Sequence, residues 1–350
     1  MTVDRDHAVV RLENSLVRAA QEATQHLPPA DVDAAVEAGM LALATQAARA
    51  AAGEADPSPE EAAHAAAADV ARSAGAARRG GPPSTATTAL DWSEFGTVVP
   101  VVAGSPGAGA SMLAVLLVDA LQLAQRRVLL IDPADPARSG LASAARSEGP
   151  WVTHPHPGVG IRYSWRAQAL VARLETTLPI IAPSMVPAPA AWRPPTTPFD
   201  VTVVDLGHDP WRITAHPLSG AGSWLRRGTP HPRPVLVVRP SRPSLLHAEQ
   251  VLARLDPWVS TAAVTAPAQL VVMGAKRWPP GVAGSAGRRV HDLLPRAVFI
   301  PHDAALAASG VTSAVTPSQL RRPVLPLLRS WGLLPESAGR ATRPRTKERP

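Results

Sequence analysis

The chain has 350 residues, 45% of them hydrophobic, which is enough for one large α/β domain or two ordinary ones. It has no cysteine, which excludes a disulfide framework, thiolate-ligated zinc, an iron–sulfur cluster and a cysteine nucleophile. Charge is split along it: residues 1–90 hold 12 acidic and 7 basic side chains and the remainder 16 and 28, so an acidic beginning precedes a basic body able to attract phosphates or anionic head groups.

From His7 to Gln25, apolar residues Val9, Val10, Leu12, Leu16, Val17 and Ala20 recur at helical spacing, and a second helical stretch follows Pro29 with Asp31 or Asp33 as its cap. A third, Ser58 to Ser73, opens on SPEE: a serine, a first-turn proline and two acids in the order that favours a helix start. All three are rich in alanine, which buries little surface. Residues 1–74 therefore read as a helical arm or small helical domain, and residues 75–91, containing GAARRGGPPSTATT, as a linker. The opening MTVDRDHAVV carries Asp4 and Asp6 where a secretory signal would be basic. The longest apolar stretch, Met112 to Leu123, is interrupted by Asp119 and falls short of the roughly 20 residues that cross a membrane. A cytoplasmic location is expected, with any membrane contact peripheral.

After Trp92 the texture changes to short β-branched runs separated by helical or turn-rich segments. Strands are expected at Thr97 to Val102, Val128 to Ile131, Ile180 to Ala182, Val201 to Val204, Val235 to Val238, Leu270 to Met273 and Val298 to Ile300. Several are unbroken apolar runs, the mark of strands covered on both faces. The expected fold of residues 92–334 is α/β, a mostly parallel, doubly wound sheet. Residues 335–350, basic and poor in apolar side chains, read as a disordered tail.

The most informative segment is TVVPVVAGSPGAGASMLAVLLVDALQLAQRRVLLID, a strand, a glycine-rich turn, a helix and a second strand. Gly104 and Gly109 have the spacing of the outer glycines of G-x-x-x-x-G-K-[ST], Gly107 lies between them and Ser111 occupies the hydroxyl position. Ala110 stands where the lysine belongs. In a working loop, backbone amides and the helix N-terminus cradle phosphate, lysine neutralises it and the hydroxyl holds Mg²⁺.

In these residues the chain resembles the MinD/ParA-like class of P-loop ATPases, whose loop commonly carries lysines at the positions of Ser105 and Ala110. VLLIDPADPARSGLA is similar to the family's second-strand segment, with Asp132 at the matching aspartate. FDVTVVDLGHD resembles the Walker B strand, with Asp205 on the aspartate that supports Mg²⁺ through water. PVLVVRPSRPSLLHAEQVLARL and AVFIPHDAALAASG resemble later segments, so the likeness covers roughly residues 95 to 332. Within the class, GAGAS resembles the CpaE/TadZ-like branch of actinobacterial pilus-assembly and septum-site proteins.

The resemblance implies a nucleotide pocket of Gly104, Ser105, Gly107, Gly109, Ala110, Ser111, Asp132 and Asp205, with Ser111 and Asp205 on the metal if Mg-nucleotide binds. It implies a degenerate pocket. Losing a hydrogen bond to a charged group costs roughly 1.5–3 kcal/mol, about ten- to a hundredfold in affinity. No cofactor is required, ATP with Mg²⁺ is at most a weak ligand, and catalysis loses its main device, positive charge on the transferred phosphoryl. Arg138 is the nearest candidate cation. Gly274, in VVMGAKRW, has no side chain where the family places an adenine-reading asparagine.

The implied function is a non-catalytic scaffold that positions a secretion, pilus or division assembly through protein partners, with the sheet domain available for homodimerisation. The other reading is an ATP-switched partition protein that binds DNA without sequence preference through its basic body; anionic membrane contact by the same charges is a related expectation. His154 and His156 flank a proline without a third ligand in fixed register, and His208 and Asp209 read as a polar loop after a strand. Residues 319–334, QLRRPVLPLLRSWGLL, are amphipathic, but Pro323 and Pro326 favour core packing over a membrane-surface helix.

Overall fold

The computed structural model describes residues 89–194 and 198–335. The expected helical arm, nearly all of the linker and the tail beyond residue 335 lie outside them. Along the described chain, β1 (Leu90–Asp91) and β2 (Thr97–Ala103) lead through the glycine turn into α1 (Ala110–Leu123) and β3 (Val128–Asp132). Next come β4 (Ser147–His156), β5 (Val159–Arg166), β6 (Ala169–Thr176), β7 (Val201–Leu206), α2 (Pro210–Ala215), β8 (Gly228–Thr229), β9 (Val235–Val238) and α3 (Arg242–Ser260). The last elements are β10 (Gln269–Met273), α4 (Arg288–His291), β11 (Val298–Ile300), α5 (Ala304–Ser309), α6 (Ser318–Arg321) and α7 (Leu325–Ser330).

Nine strands form one sheet in the order β11-β10-β9-β2-β7-β3-β6-β5-β4. Every pairing from β11 to β6 is parallel; the β6–β5 and β5–β4 pairings are antiparallel, so β5 alone runs against the rest. In β2, Val98 and Val102 belong to one apolar cluster and Val99, Val101 and Ala103 to the other, so the strand is buried on both faces. Leu245, Val251 and Leu255 of α3 cover the first face, while Leu113 and Leu117 of α1, with Leu320 and Leu328 of α6 and α7, cover the second. A mostly parallel sheet between helical layers is the doubly wound α/β fold.

Two features differ from expectation. Residues 180–182 are not a strand: Pro179 and Pro183 bracket them, remove amide donors and lead into a 3-10 turn at Pro183–Met185, and Ile180 is left 60% exposed. The strand beside β3 is instead β6, which belongs to an antiparallel meander with β5 and β4. Pro150 and Pro155 are tolerated in β4 because it is the sheet's edge, where its register against β5 shifts. His154 and His156 lie on this edge strand, and among the described residues no group of three or more His, Cys, Asp or Glu is arranged to hold a metal.

Leu320, Val324, Leu328, Leu333 and Leu334 are buried, so the amphipathic C-terminal segment packs into the core. No helix among the described residues is long and apolar enough to cross a membrane. Trp92, Trp192 and Trp224 are fully buried. Trp92 stacks on Trp224 at 5.5 Å, and Phe95 meets Trp224 edge-on at 5.1 Å, in geometries that suit aromatic quadrupoles. This cluster seats β1, which pairs in parallel with β8 outside the main sheet.

Candidate functional site

The eight residues singled out in the sequence come together at the carboxyl ends of β2, β3 and β7, the end at which open parallel sheets bind ligands. The turn is anchored at its start: the Gly104 amide donates to the Val237 carbonyl at 2.7 Å, and a Cβ on Gly104 would stand 2.8 Å from that of Ala248. Gly107 and Gly109 take φ of +67° and +98°, the left-handed region that glycine enters without a steric cost. Gly109 is the N-cap of α1 and no side chain caps the helix. The first-turn amides of Ala110, Ser111 and Met112 therefore have no intrahelical acceptor, and the positive end of the helix dipole lies at the turn.

Beside this turn stand Asp132, the last residue of β3, and Asp205 in β7, both almost fully buried. Ser139 Oγ and the Ala134 amide donate to Asp132, and the Gly207 amide donates to Asp205 at 3.0 Å. Burial pushes Asp132 up to about 6 despite those bonds. Burial, then the neighbouring Asp132 carboxylate, pushes Asp205 up to about 7, with Ser111 and the Gly207 amide opposing. Two carboxylates and a hydroxyl form a hard-oxygen donor set of the kind Mg²⁺ takes. Gly140 keeps the Ser111 hydroxyl accessible, since a Cβ there would stand 2.3 Å from its Oγ. In fold and donor chemistry, the residues present fit a magnesium-bound phosphate.

The cations do not follow the family pattern. Ala110 is buried, and its methyl lies so close to Gly207 that a Cβ on that glycine would come within 2.7 Å of it. Ser105 turns inward: its hydroxyl is 2.8 Å from that of Ser244 in the first turn of α3, whose Oγ in turn accepts from the Arg239 amide at 2.9 Å. Arg138, expected to be the nearest cation, is held on the segment after β7, donating to the His208 carbonyl at 2.9 Å and lying 3.7 Å from Asp209. The guanidinium on the turn itself belongs to Arg239, directly after β9, whose Nε donates to the Gly107 carbonyl at 3.0 Å. Gly274 makes room for it, because a Cβ there would stand 3.0 Å from Arg239 Nη1. Arg239 was not singled out in the sequence; the only signal was a basic residue ending the run VLVVR, in a chain where arginine is common.

A cavity of about 260 Å³ opens here between Gly109, Arg239, Gly274, His302 and Asp303. It falls below the roughly 300–1,000 Å³ of ordinary small-molecule pockets. His208, on the segment that Arg138 holds, is pushed down to about 4 chiefly by burial, so its imidazole is neutral near pH 7. Asp209 caps α2 by accepting from the Arg212 amide at 3.3 Å, a structural task that uses one of its oxygens. Lys276 is exposed on the loop after β10.

No model of a known protein family matches the chain. No curated protein matches it either. Among solved structures it is similar to a ParA family ATPase from Chlorobium tepidum TLS, with 16% identity, a TM-score of 0.42, and 66% of this chain and 97% of that one covered. It is also similar to the ADP-bound nucleotide-binding protein of Archaeoglobus fulgidus, with 16% identity, a TM-score of 0.41, and 65% and 92% covered. The MinD cell division protein of Aquifex aeolicus gives 17% identity, a TM-score of 0.39, and 67% and 97% covered. At these values the likeness assigns neither a ligand nor an activity to this chain.

Proposed function

We propose that this chain is a non-catalytic scaffold built on a MinD/ParA-like P-loop domain, with weak or no nucleotide binding, that positions a secretion, pilus or division assembly through protein contacts. The observation that carries this reading is Ala110: a buried methyl against Gly207 occupies the position from which a lysine would reach the phosphates. The anion-binding parts that remain are the turn amides and the uncapped start of α1, with Ser111 and Asp205 as the groups that would hold Mg²⁺. Bound Mg-nucleotide would bring a metal-polarised phosphoryl group to this turn. The residues at the turn would bind and orient it, but Ala110 and Ser105 offer no positive charge to stabilise transfer. Arg239 is close: its Nε holds the Gly107 carbonyl, and its remaining N–H donors offer charge beside the turn in a fork geometry that does not reproduce a lysine's reach along the phosphates.

Titration calorimetry with Mg-ATP, paired with a phosphate-release assay, tests the reading. Weak or undetectable binding and no turnover are expected. Ala110→Lys should raise affinity by about ten- to a hundredfold, the worth of one charged hydrogen bond. Ordinary ATPase turnover by the unmodified chain would overturn the proposal.

A further inference from the structure

At the amino ends of β9 and β10, away from the glycine turn, a cleft of about 500 Å³ is lined by Arg227, His231, Arg233 and Arg296 with no carboxylate in its walls. All four side chains belong to exposed residues. Among the described residues, none of the three arginines is ion-paired. Desolvation, with Arg227 and Arg233 adding to it, holds the His231 imidazole below its ordinary range, a sign that these charges act on one another. Like charges gathered in a concavity without a counter-charge create a potential that an anionic group relieves.

The chain brings such a group to the same place. The Leu90 amide donates to the Arg227 carbonyl at 2.9 Å, and β1 pairs with β8, so the preceding residues join the fold at the lip of the cleft. Residues 54–61, EADPSPEE, hold four carboxylates and no basic side chain, the densest acidic cluster before the fold begins. The 28 residues between that cluster and Leu90, taken as the end of the expected third helix (62–73, about 18 Å) followed by a flexible stretch (74–89, about 22 Å), give a tether spanning on the order of 30 Å and an effective concentration of about a millimolar. We propose that the acidic segment 54–61 docks in this cleft of its own chain, its carboxylates paired with Arg227, Arg233 and Arg296. The inference does not depend on what the glycine turn binds.

Because the chain lacks cysteine, two introduced thiols report proximity without background. In the full-length chain carrying Ala55→Cys and Ala266→Cys, the latter in the cleft wall, a short bis-maleimide should give an intramolecular cross-link in high yield. The pair Ala55→Cys and Ala305→Cys, with the second thiol on α5, should give roughly tenfold less. Replacing Glu54, Asp56, Glu60 and Glu61 by lysine should lower the first yield about tenfold, as should raising ionic strength to about 1 M, where the screening length falls to about 3 Å. Adding Arg227→Glu, Arg233→Glu and Arg296→Glu to the lysine variant should restore it, which loss of folding would not do. Equal yields in the two cysteine pairs, or a yield indifferent to charge reversal and salt, overturn the proposal. So does a cross-link found only between differently tagged chains, which would place a second copy's segment in the cleft.

Discussion

Arg239 is the residue on which the glycine turn closes. Its guanidinium reaches from the end of β9 to the Gly107 carbonyl and passes over Gly274, so β9, β10 and the turn share one contact. Arg239→Met removes a partly solvated charged hydrogen bond, and a stability loss of about 1 kcal/mol is expected, with faster amide exchange confined to residues 104–111. Gly274→Asn is expected to cost more, because φ of +94° strains any side chain and its Cβ would press on Arg239. His208 contributes to the acid limb of stability. Its pKa lies below the unfolded value of 6.5, so its contribution is fully present above pH 6.5 and is lost as pH falls through about 4. Asp132 and Asp205, raised to about 6 and 7, act in the opposite sense: their contribution is present below pH 3.8 and lost as pH rises through those values. Comparing urea midpoints of the unmodified chain and His208→Gln at pH 7.5 and pH 4.5 isolates the histidine. The substitution should be more favourable at the lower pH by about 2 kcal/mol, the worth of roughly two pKa units less some relaxation.

Among the elements, α1 is fastened more firmly than its apolar face requires. Asp119 in that helix accepts from Arg166 Nε and Nη2 of β5 at 3.0 and 2.9 Å, from Gln122 at 2.7 Å and from the Thr316 amide at 2.7 Å. The remaining Arg166 donors meet the carbonyls of Ala144, Thr312 and Ala314, so every N–H of a fully buried guanidinium is satisfied. Removing one partner strands the other charge: Asp119→Leu alone should cost about 3–5 kcal/mol. The double variant with Arg166→Met should cost less than the sum of the two singles, as read from denaturant midpoints in a double-mutant cycle.

This fastening also shows where the sequence was readable and where it was not. The parallel core was legible because strands covered on both faces are written as unbroken runs such as VLLI and VLVV. The turn was legible because its spacing is local. The meander of β4, β5 and β6 was hidden, since Arg162, Arg166, Arg173 and Glu175 interrupt its apolar runs. Yet Arg166 is buried, with Asp119 as its partner 47 residues away. Arg239 was hidden for the same reason, its acceptor lying 132 residues away. A paired charge and a solvated one look alike until the fold brings the partners together.

For the whole molecule, the uneven charge gives a test that separates the two functional readings. A basic body attracts polyanions by releasing counterions, and that attraction falls steeply with salt. If the domain is a scaffold, retention on immobilised duplex DNA should be salt-sensitive and unchanged by Mg-ATP. Retention that rises with Mg-ATP would favour the partition reading.

The stack of Trp92 on Trp224 settles where the described chain begins: at the foot of the sheet, beside Arg227. The glycine turn crowns the other rim, and β2, seven residues long, separates the two by about 20 Å. Two small guests seated at these rims would not collide, so a ligand held in the cleft beside Arg227 leaves the turn open to a visitor of its own.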